Sequence, residues 1–295
     1  MNYVSFSGLP RLLLSATHLV NLNLRAIPES GYISPEAIVA CGEALTWLET
    51  FVIGFKSPRS RPDQKSHPPT RTLLPVLTKL EFKGVSEYLE YLVACIDASR
   101  LGNLFITFFH QLIFDIPQLT QFISRTPKFK TFGQARVVFS HRRALVILPW
   151  TFDGALELAI SCRQPDWQLS SLARVCRFSF LQAVIPTVKQ LHIHPRIVFP
   201  HLYWQDDFVS SQWLELFHPF TAVTDLYLSR ESVPCVVPVL QKLVGERVTG
   251  VFPALQTFFL EKPLTSGPVQ EAIERFVAER QFANHPITIS RWERK

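Results

Sequence analysis

The stretch HLVNLNLRAIP, residues 18–28, decides the fold because its pattern returns along the chain. Apolar side chains stand at Leu19, Leu22 and Leu24, and an asparagine separates the last two. Alternation of apolar and polar side chains is typical of a short β-strand with one buried face. The segment therefore predicts a strand of the form apolar-x-x-apolar-x-apolar.

The same form returns six times with clear anchor residues. The apolar anchors of these copies are Leu48, Phe51 and Ile53; Leu77, Leu80 and Phe82; Leu101, Leu104 and Ile106; Val188, Leu191 and Ile193; Val223, Leu226 and Leu228; and Leu255, Phe258 and Leu260. The central anchors at 22, 51, 80 and 104 are 29, 29 and 24 residues apart, and those at 191, 226 and 258 are 35 and 32 residues apart. We interpret residues 129–139 and 154–160 as degenerate copies between the two groups.

A short strand that recurs with a helical or irregular segment between copies is typical of a leucine-rich-repeat solenoid. The alternative is a doubly wound α/β domain with regularly spaced strands. That fold favours uninterrupted apolar strands and a glycine-rich phosphate turn after the first strand. Here the strands alternate and the turn is missing from the sequence. We therefore predict one α/β solenoid (horseshoe) domain over residues 1–295, with a parallel concave sheet and helices on the convex side.

Helix start signals lie between the strand copies. Ser34 is placed to cap a helix whose first residue is Pro35, since proline is favoured there. Further helices are predicted to begin near Ser86, Pro234 and Gly267. Strand followed by helix, repeated roughly nine times, is the predicted organisation.

Cysteine usage and hydropathy indicate the environment of the protein. The five cysteines are scattered without a C-x-x-C pair, which favours free, buried thiols in a reducing compartment. The longest apolar stretches are interrupted by polar residues before they reach the length of a transmembrane helix. The first residues do not have the pattern of a signal peptide. We expect an intracellular protein, cytoplasmic or nuclear, that does not act at a membrane.

The positive charge is concentrated in one segment. The chain has a net charge of +6, with 30 basic and 24 acidic residues, and residues 56–72 hold five of the basic residues and one of the acidic ones. The rest of the chain is nearly balanced, at 25 against 23. We predict that this Pro-rich segment is a disordered loop. Nucleic-acid binding would require basic and aromatic residues spread over a folded face, so we expect no nucleic-acid partner.

One cluster raises an alternative function. His192 and His194 are two residues apart on a predicted strand, and His201 follows seven residues later. Two imidazoles on one strand face could hold zinc with a third ligand, and Asp206 or Asp207 could contribute an oxygen. A metal-dependent or hydrolytic enzyme centred on His192 and His194 is therefore the alternative to a binding protein.

Other residues of the sequence do not strengthen the hypothesis of an enzyme. Asp166, Ser170 and Ser171 supply residue types of a hydrolase, but a triad is defined by geometry. Ser170 or Ser171, near the start of a helical segment, is better explained as a helix cap. The sequence contains no nucleophile elbow, phosphate-binding loop or HExxH motif. We expect no enzymatic activity, no catalytic or metal-binding residues and no cofactor.

If the repeats stack, the residue between the two inner anchors of each strand points outward from the core. These residues are Asn23, Val52, Glu81, Phe105, His192, Tyr227 and Phe259. We expect a protein partner to bind at Asn23, Glu81, Phe105, His192, Tyr227 and Phe259, since aromatic residues are enriched at protein interfaces. The alternative is that the aromatic side chains pack against loops or insertions of the same chain.

Several segments together resemble a family of fungal proteins. In chain order, the segments are LPRLLLSATHLVNLNLRAIPESGYISPEAIVACGEALTWLE, SPRSRP, FKGVSEYLEYLVACIDASRLGNLFITFFHQLIFDIPQLTQFISRTP, WLELFHPFTAV and HPITISRWER. Their order is similar to that of the F-box-associated leucine-rich-repeat proteins of mushroom-forming fungi, over essentially the whole chain. The resemblance implies a substrate-binding repeat domain of a ubiquitin-ligase receptor, in which an F-box binds the Skp-type subunit.

The resemblance is to the repeat portion of that family. In the family the F-box precedes the repeats, whereas here the first strand motif begins at residue 18. We therefore expect an interaction module that lacks the F-box and binds a protein ligand of unknown identity. Binding to a Skp-type adaptor is expected only if an F-box is present upstream.

Overall fold

A computed structural model describes residues 16, 18–41, 44–58, 71–111, 114–151, 154–178, 184–195, 207–245, 247–261 and 267–293. The strands within them are β1 (Asn21–Ile27), β2 (Thr50–Phe55), β3 (Thr72–Leu73), β4 (Lys79–Gly84), β5 (Ile96–Asp97), β6 (Asn103–Phe109), β7 (Gln134–Ser140), β8 (Arg143–Thr151), β9 (Gly154–Ser161), β10 (Gln190–Pro195), β11 (Asp225–Leu228), β12 (Thr257–Leu260) and β13 (Thr288–Arg291). The helices are α1 (Pro35–Val39), α2 (Ser86–Cys95), α3 (Pro117–Arg125), α4 (Pro165–Phe178), α5 (Asp207–Phe217), α6 (Val233–Gln241), α7 (Arg247–Gly250) and α8 (Pro268–Phe282).

The protein is a mixed α/β chain with mostly parallel β-structure, and it divides into two compact units. Unit 1 consists of Met1–Lys130 and Trp150–Ala159, and unit 2 consists of Thr131–Pro149 and Ile160–Lys295. The mixed α/β class predicted from the strand and helix signals is confirmed. The horseshoe shape and the single repeat domain over residues 1–295 stay predictions.

The strand order in unit 1 follows the repeat copies. β1, β2, β4 and β6 are neighbours in that order, each parallel to the next, and β9 lies beside β6. The central anchors are aligned, because Leu22 pairs with Phe51, Phe51 with Leu80, and Leu80 with Leu104. All four are buried, and burying each such side chain stabilises the fold by about 1.5–3 kcal/mol. The predicted strands and their central inward residues are confirmed here, whereas the predicted anchor Leu24 is half-buried.

Unit 2 repeats the arrangement. β7, β10, β11, β12 and β13 are parallel neighbours in that order. Leu191 pairs with Leu226, and Leu226 with Phe258, so the predicted central anchors are again in register and fully buried. The strands predicted near 191, 226 and 258 are therefore confirmed as parallel neighbours.

The region between the two groups of repeats departs from the prediction of an entirely parallel sheet. β7 and β8 are antiparallel, with Val137 opposite Val146, and only two residues separate the strands. A connection of two residues forces an antiparallel hairpin, because a parallel crossover requires a dozen or more residues. The segment interpreted as a degenerate copy at 129–139 thus contains a true strand, but a hairpin follows it where a repeat would have a helix.

The predicted helix starts are close to the observed ones. The Ser34 hydroxyl accepts a hydrogen bond from the Ala37 N–H at 3.2 Å, and Pro35 is the first residue of α1. α2 begins at Ser86, α6 begins one residue before Pro234, and α8 begins one residue after Gly267. The structure also contains helices that the repeat pattern did not predict, namely α3, α4, α5 and α7.

The segment 56–72, predicted to be a disordered loop, has ordered ends. The Lys56 N–H donates to the Ile27 carbonyl at 2.9 Å, and the Arg71 Nε donates to the Ala94 carbonyl at 3.3 Å. Thr72 pairs with Ile96 where β3 meets β5. These contacts satisfy polar groups at the two ends of the segment, and the disordered loop stays a prediction. Residues 59–70 lie outside the described residues.

The five cysteines, all within the described residues, form no disulfide bond, as the spacing predicts. Cys41, Cys95, Cys176 and Cys235 are buried, and Cys162 is half-buried. In the part of the chain that the structure describes, no helix combines the length and apolarity needed to cross a membrane.

Candidate functional site

The outward residues of unit 1 form one row across four strands. Asn23 pairs with Val52, Val52 with Glu81, and Glu81 with Phe105, so the residues predicted from separate repeats are brought side by side. Asn23 is exposed, and Glu81 and Phe105 are half-buried. Parallel pairing in register is sufficient to place them together, because side chains alternate between the two faces of a strand.

Val52 is an exception within this row, since it is only 3% exposed. Arg25 on β1 donates to the Glu81 carboxylate on β4 at 2.9 Å. β2 lies between these two strands, so the ion pair passes across the strand that carries Val52. The predicted outward direction of Val52 is consistent with the register, but it does not make Val52 accessible.

Basic side chains surround the carboxylate of Glu81. The Lys79 Nζ is 3.5 Å from the same carboxylate oxygen that accepts from Arg25. Lys79 also places its Nζ 5.3 Å from the centre of the Phe105 ring, and Lys83 places its Nζ 5.6 Å from the centre of the Phe109 ring. We call this group, Arg25, Lys79, Glu81, Lys83, Phe105 and Phe109, the cationic face.

The outward residues of unit 2 form a second row, which is aromatic. His192 pairs with Tyr227, and Tyr227 with Phe259. The His192 and Tyr227 rings stack with their centres 4.1 Å apart and 6° between their planes, and the Tyr227 and Phe259 rings stack at 4.3 Å and 4°. Ring stacking of this kind holds each side chain in one orientation. We call these three residues the aromatic row.

The aromatic row continues on both sides with residues of other types. Arg136 on β7 pairs with His192, and Ser290 on β13 pairs with Phe259. Arg136 is exposed, whereas Ser290 is half-buried. The row therefore begins with a cation and ends with a short polar side chain beside the Phe259 ring.

Trp292 lies across the aromatic row from the chain that follows β13. Its ring is nearly perpendicular to those of Tyr227 and His192, with centres 5.6 and 5.8 Å away. The indole Nε1 donates to the Leu228 carbonyl at 3.3 Å, and the backbone N–H donates to the Leu260 carbonyl at 3.1 Å. Tyr227 and His192 are therefore contacted by another part of the same chain.

Trp292 also changes the environment of the two histidines. Its ring centre is 5.7 Å from that of His194, and the two imidazole centres are 5.8 Å apart. His194 is only 8% exposed and His192 is half-buried, so neither imidazole is an exposed surface group. Desolvation by burial, together with the neighbouring His194 and the Arg136 charge, lowers the pKa of His192 to about 3, so His192 is neutral near pH 7.

The metal-site hypothesis gains no third ligand from the described residues. Among them, no group of three or more His, Cys, Asp or Glu side chains is arranged to hold a metal ion. The His192 Nε2 is buried and has no hydrogen-bond partner within the described part of the chain. His201 and Asp206 lie outside the described residues, and so does the side chain of Asp207.

The residues of the hydrolase hypothesis lie on α4. Ser170 and Ser171 stand in the middle of this helix, so the interpretation as caps is wrong. The Ser170 hydroxyl donates to the Trp167 carbonyl at 3.4 Å, one helical turn earlier, and Ser171 is buried. The side chain of Asp166 is outside the described residues.

The repeat pattern did not predict several side chains of the cationic face or next to the aromatic row. Arg25, Lys79 and Lys83 are two residues from the predicted positions on their own strands, so extending the alternation in both directions would have found them. Arg136 was missed because the register of β7 was not apparent from its degenerate motif. Trp292 has no periodic signal, since it follows the last strand.

The chain matches no protein-family model, and no curated protein is significantly similar to it.

Proposed function

We propose that this protein is a protein–protein interaction module that contacts its ligand with the outward side chains of its parallel strands. The aromatic row carries the proposal, since stacking and register hold three rings in fixed orientations on one strand face. Rigid aromatic side chains give large contact areas at little cost in side-chain entropy, which is why they dominate the energy of many interfaces.

Phe259 is the residue of the row best placed to anchor a ligand. Tyr227 covers one face of its ring, and its other neighbour in register is Ser290, whose side chain is too short to cover an aromatic ring. His192 and Tyr227, by contrast, are contacted by Trp292. A ligand side chain can therefore pack against Phe259 without displacing Trp292.

The resemblance to F-box-associated repeat proteins supports a more specific proposal. In this role the ligand is a ubiquitin-ligase substrate, and the rows of outward side chains select it. Contact with a Skp-type adaptor requires an F-box, and nothing in the cationic face or the aromatic row supplies that contact.

The proposal is tested by selecting binders from a displayed random-peptide library on the full chain. Selected peptides are expected to bind the native protein and to lose binding to Phe259→Ser. Phe282→Ser is the matched control, because Phe282 lies on helix α8 of the same unit and its side chain is 90% exposed. Circular dichroism and thermal unfolding establish that each variant is folded.

A second variant keeps the test decisive if Phe259→Ser does not fold. Ser290→Trp leaves the aromatic row intact and fills the space beside Phe259, so it is expected to block the selected peptides. Peptides that bind both variants as tightly as the native protein contradict the proposal. Selection that yields only peptides dependent on Phe282 contradicts it equally.

A further inference from the structure

The outward face of unit 1 carries an excess of positive charge on two strands, β1 and β4, with β2 between them. Arg25, Lys79 and Lys83 supply three positive charges, and Glu81 supplies one negative charge, so the local sum is +2. The charges lie on β1 and β4, and the side chains of Arg25 and Lys79 remain 58% and 36% exposed. Three basic groups are therefore held on one accessible side of the sheet.

The aromatic side chains help to fix the positions of the lysines. The ammonium groups of Lys79 and Lys83 lie over the Phe105 and Phe109 rings, respectively, within the distance at which a ring attracts a cation. Glu81 accepts from Arg25 across the intervening strand β2 and lies near Lys79 on its own strand. Side chains held in this way lose less entropy when an anionic group binds.

Neutral polar residues lie among the charges. Thr50 pairs with Asn21 and with Lys79, and Thr107 pairs with Lys83. Asn21 and Asn23 are exposed on β1. Amide and hydroxyl groups of this kind hydrogen-bond to peptide groups and carboxylates alike.

We propose that the cationic face binds an acidic segment of a protein partner, an extended stretch rich in aspartate and glutamate. This inference rests on the proposed function and names the chemistry of the ligand for unit 1. Carboxylates pair with the Arg25 guanidinium and with the ammonium groups of Lys79 and Lys83, and complementary charge sets the orientation of the bound segment.

A single-stranded nucleic acid fits the same face less well. Nucleotide binding without sequence preference relies on free aromatic faces on which bases stack. Here ammonium groups lie over the rings of Phe105 and Phe109, and the Glu81 carboxylate lies between the basic groups. A peptide avoids both obstacles, because it needs no stacking surface and can place its carboxylates at irregular intervals.

The test measures binding of a fluorescent poly-aspartate peptide to the full chain by anisotropy. Lys83→Glu is expected to weaken binding about fivefold or more, because the local charge falls from +2 to zero. Arg247→Glu is the matched control, since it makes the same change in net charge at an exposed position on α7 in unit 2. Added salt is expected to weaken binding to the native chain.

Three outcomes overturn the inference: the native chain fails to bind poly-aspartate, Arg247→Glu weakens binding as much as Lys83→Glu, or oligothymidylate displaces the peptide and binds more tightly. The Phe259→Ser variant separates this inference from the proposed function, because it is expected to bind poly-aspartate normally. If library peptides bind through Phe259 while poly-aspartate does not bind, only the present inference fails. If poly-aspartate binding depends on Lys83 while no library peptide depends on Phe259, the aromatic row is not the contact surface. The inference that the cationic face binds an acidic segment is then retained.

Discussion

At the scale of single residues, Arg280 shows how a buried charge can organise a loop. Its side chain is fully buried on α8 and donates hydrogen bonds to the carbonyls of Val248, Phe252 and Leu255 at 3.1, 3.3 and 3.1 Å. Phe252 has a φ of 50°, in the left-handed region that residues with a side chain rarely adopt. The guanidinium therefore holds a strained segment in place, because each bond is worth more when the donor is charged.

Replacement of Arg280 tests this role. Arg280→Met is expected to lower the free energy of unfolding by about 2–4 kcal/mol, because three carbonyls lose a buried donor. Urea denaturation followed by circular dichroism measures the change. Arg275→Met, at an exposed position on the same helix, is the control and is expected to change stability by less than about 0.5 kcal/mol. Equal losses of unfolding free energy in Arg280→Met and Arg275→Met would show that the buried hydrogen bonds of Arg280 do not stabilise the fold.

His192 makes stability depend on pH. Burial lowers its pKa to about 3 in the folded protein, whereas an unfolded chain has the ordinary value of 6.5. Between these values the unfolded state binds a proton that the folded state excludes, so the free energy of unfolding falls as the pH falls from about 6.5 to about 3. His192→Phe retains a ring for stacking on Tyr227 and is expected to reduce this dependence.

Denaturation of both proteins at a series of pH values measures the difference. His285→Phe is the control, because His285 is exposed in the turn before β13. If the free energies of unfolding of His192→Phe and the native protein differed by a constant amount over this pH range, His192 would not be the source of the pH dependence.

At the scale of elements, Glu90 joins two helices of unit 1. It lies on α2, and its two carboxylate oxygens accept from the backbone N–H groups of Gln118 and Leu119 at 2.8 and 2.7 Å, in the first turn of α3. These N–H groups have no partner within their own helix, and α3 has no side-chain cap of its own. Burial raises the pKa of Glu90 to about 7, and the nearby Asp115 adds to this, although the two N–H donors partly offset the shift.

Glu90→Ala is expected to lower the free energy of unfolding by about 1–2 kcal/mol, because two N–H groups lose their acceptor. The folded state retains the Glu90 proton to a higher pH than the unfolded state, so the stabilisation declines as the pH rises from about 4.5 to about 7. The loss caused by Glu90→Ala should therefore be larger near the lower pH. Glu87→Ala, in the first turn of α2, is the control, and a loss that grew as the pH rose would contradict the expected linkage.

At the scale of the whole molecule, each of the two units contains buried cysteines. Four thiols are buried, and burial raises the pKa of Cys41, Cys176 and Cys235, which makes them still less reactive. Cys162, directly after β9, is the half-buried exception. Reactivity towards a thiol reagent therefore reports on the packing of the complete chain.

Labelling of the native protein with a thiol reagent is expected to modify Cys162 rapidly and the other four cysteines slowly. In denaturant all five should react, because unfolding removes the burial that protects them. Mass spectrometry of peptides from partly labelled protein identifies the sites. Cys162→Ser should abolish the rapid phase, and a rapid phase that survives this substitution would mean that another thiol is accessible.

The sequence by itself determined which central residues of the clear repeat copies point into the core, and which of these strands lie side by side within each unit. The anchors at Leu22, Phe51, Leu80 and Leu104 could be read from the alternation, and the strands align them in the structure. The same alternation placed His192, Tyr227 and Phe259 on one face. These features are predictable because side-chain direction along a strand has a period of two, and burial of apolar anchors fixes the register.

Only the tertiary structure decided which of those outward residues are accessible. Val52 is buried on a strand that an ion pair between residues 56 positions apart passes across, and the ring of His194 lies near that of Trp292 from beyond the last strand. The antiparallel pairing of β7 with β8 likewise replaced an expected repeat. Local periodicity carries no information on such contacts, because they depend on where distant segments meet once the strands have paired.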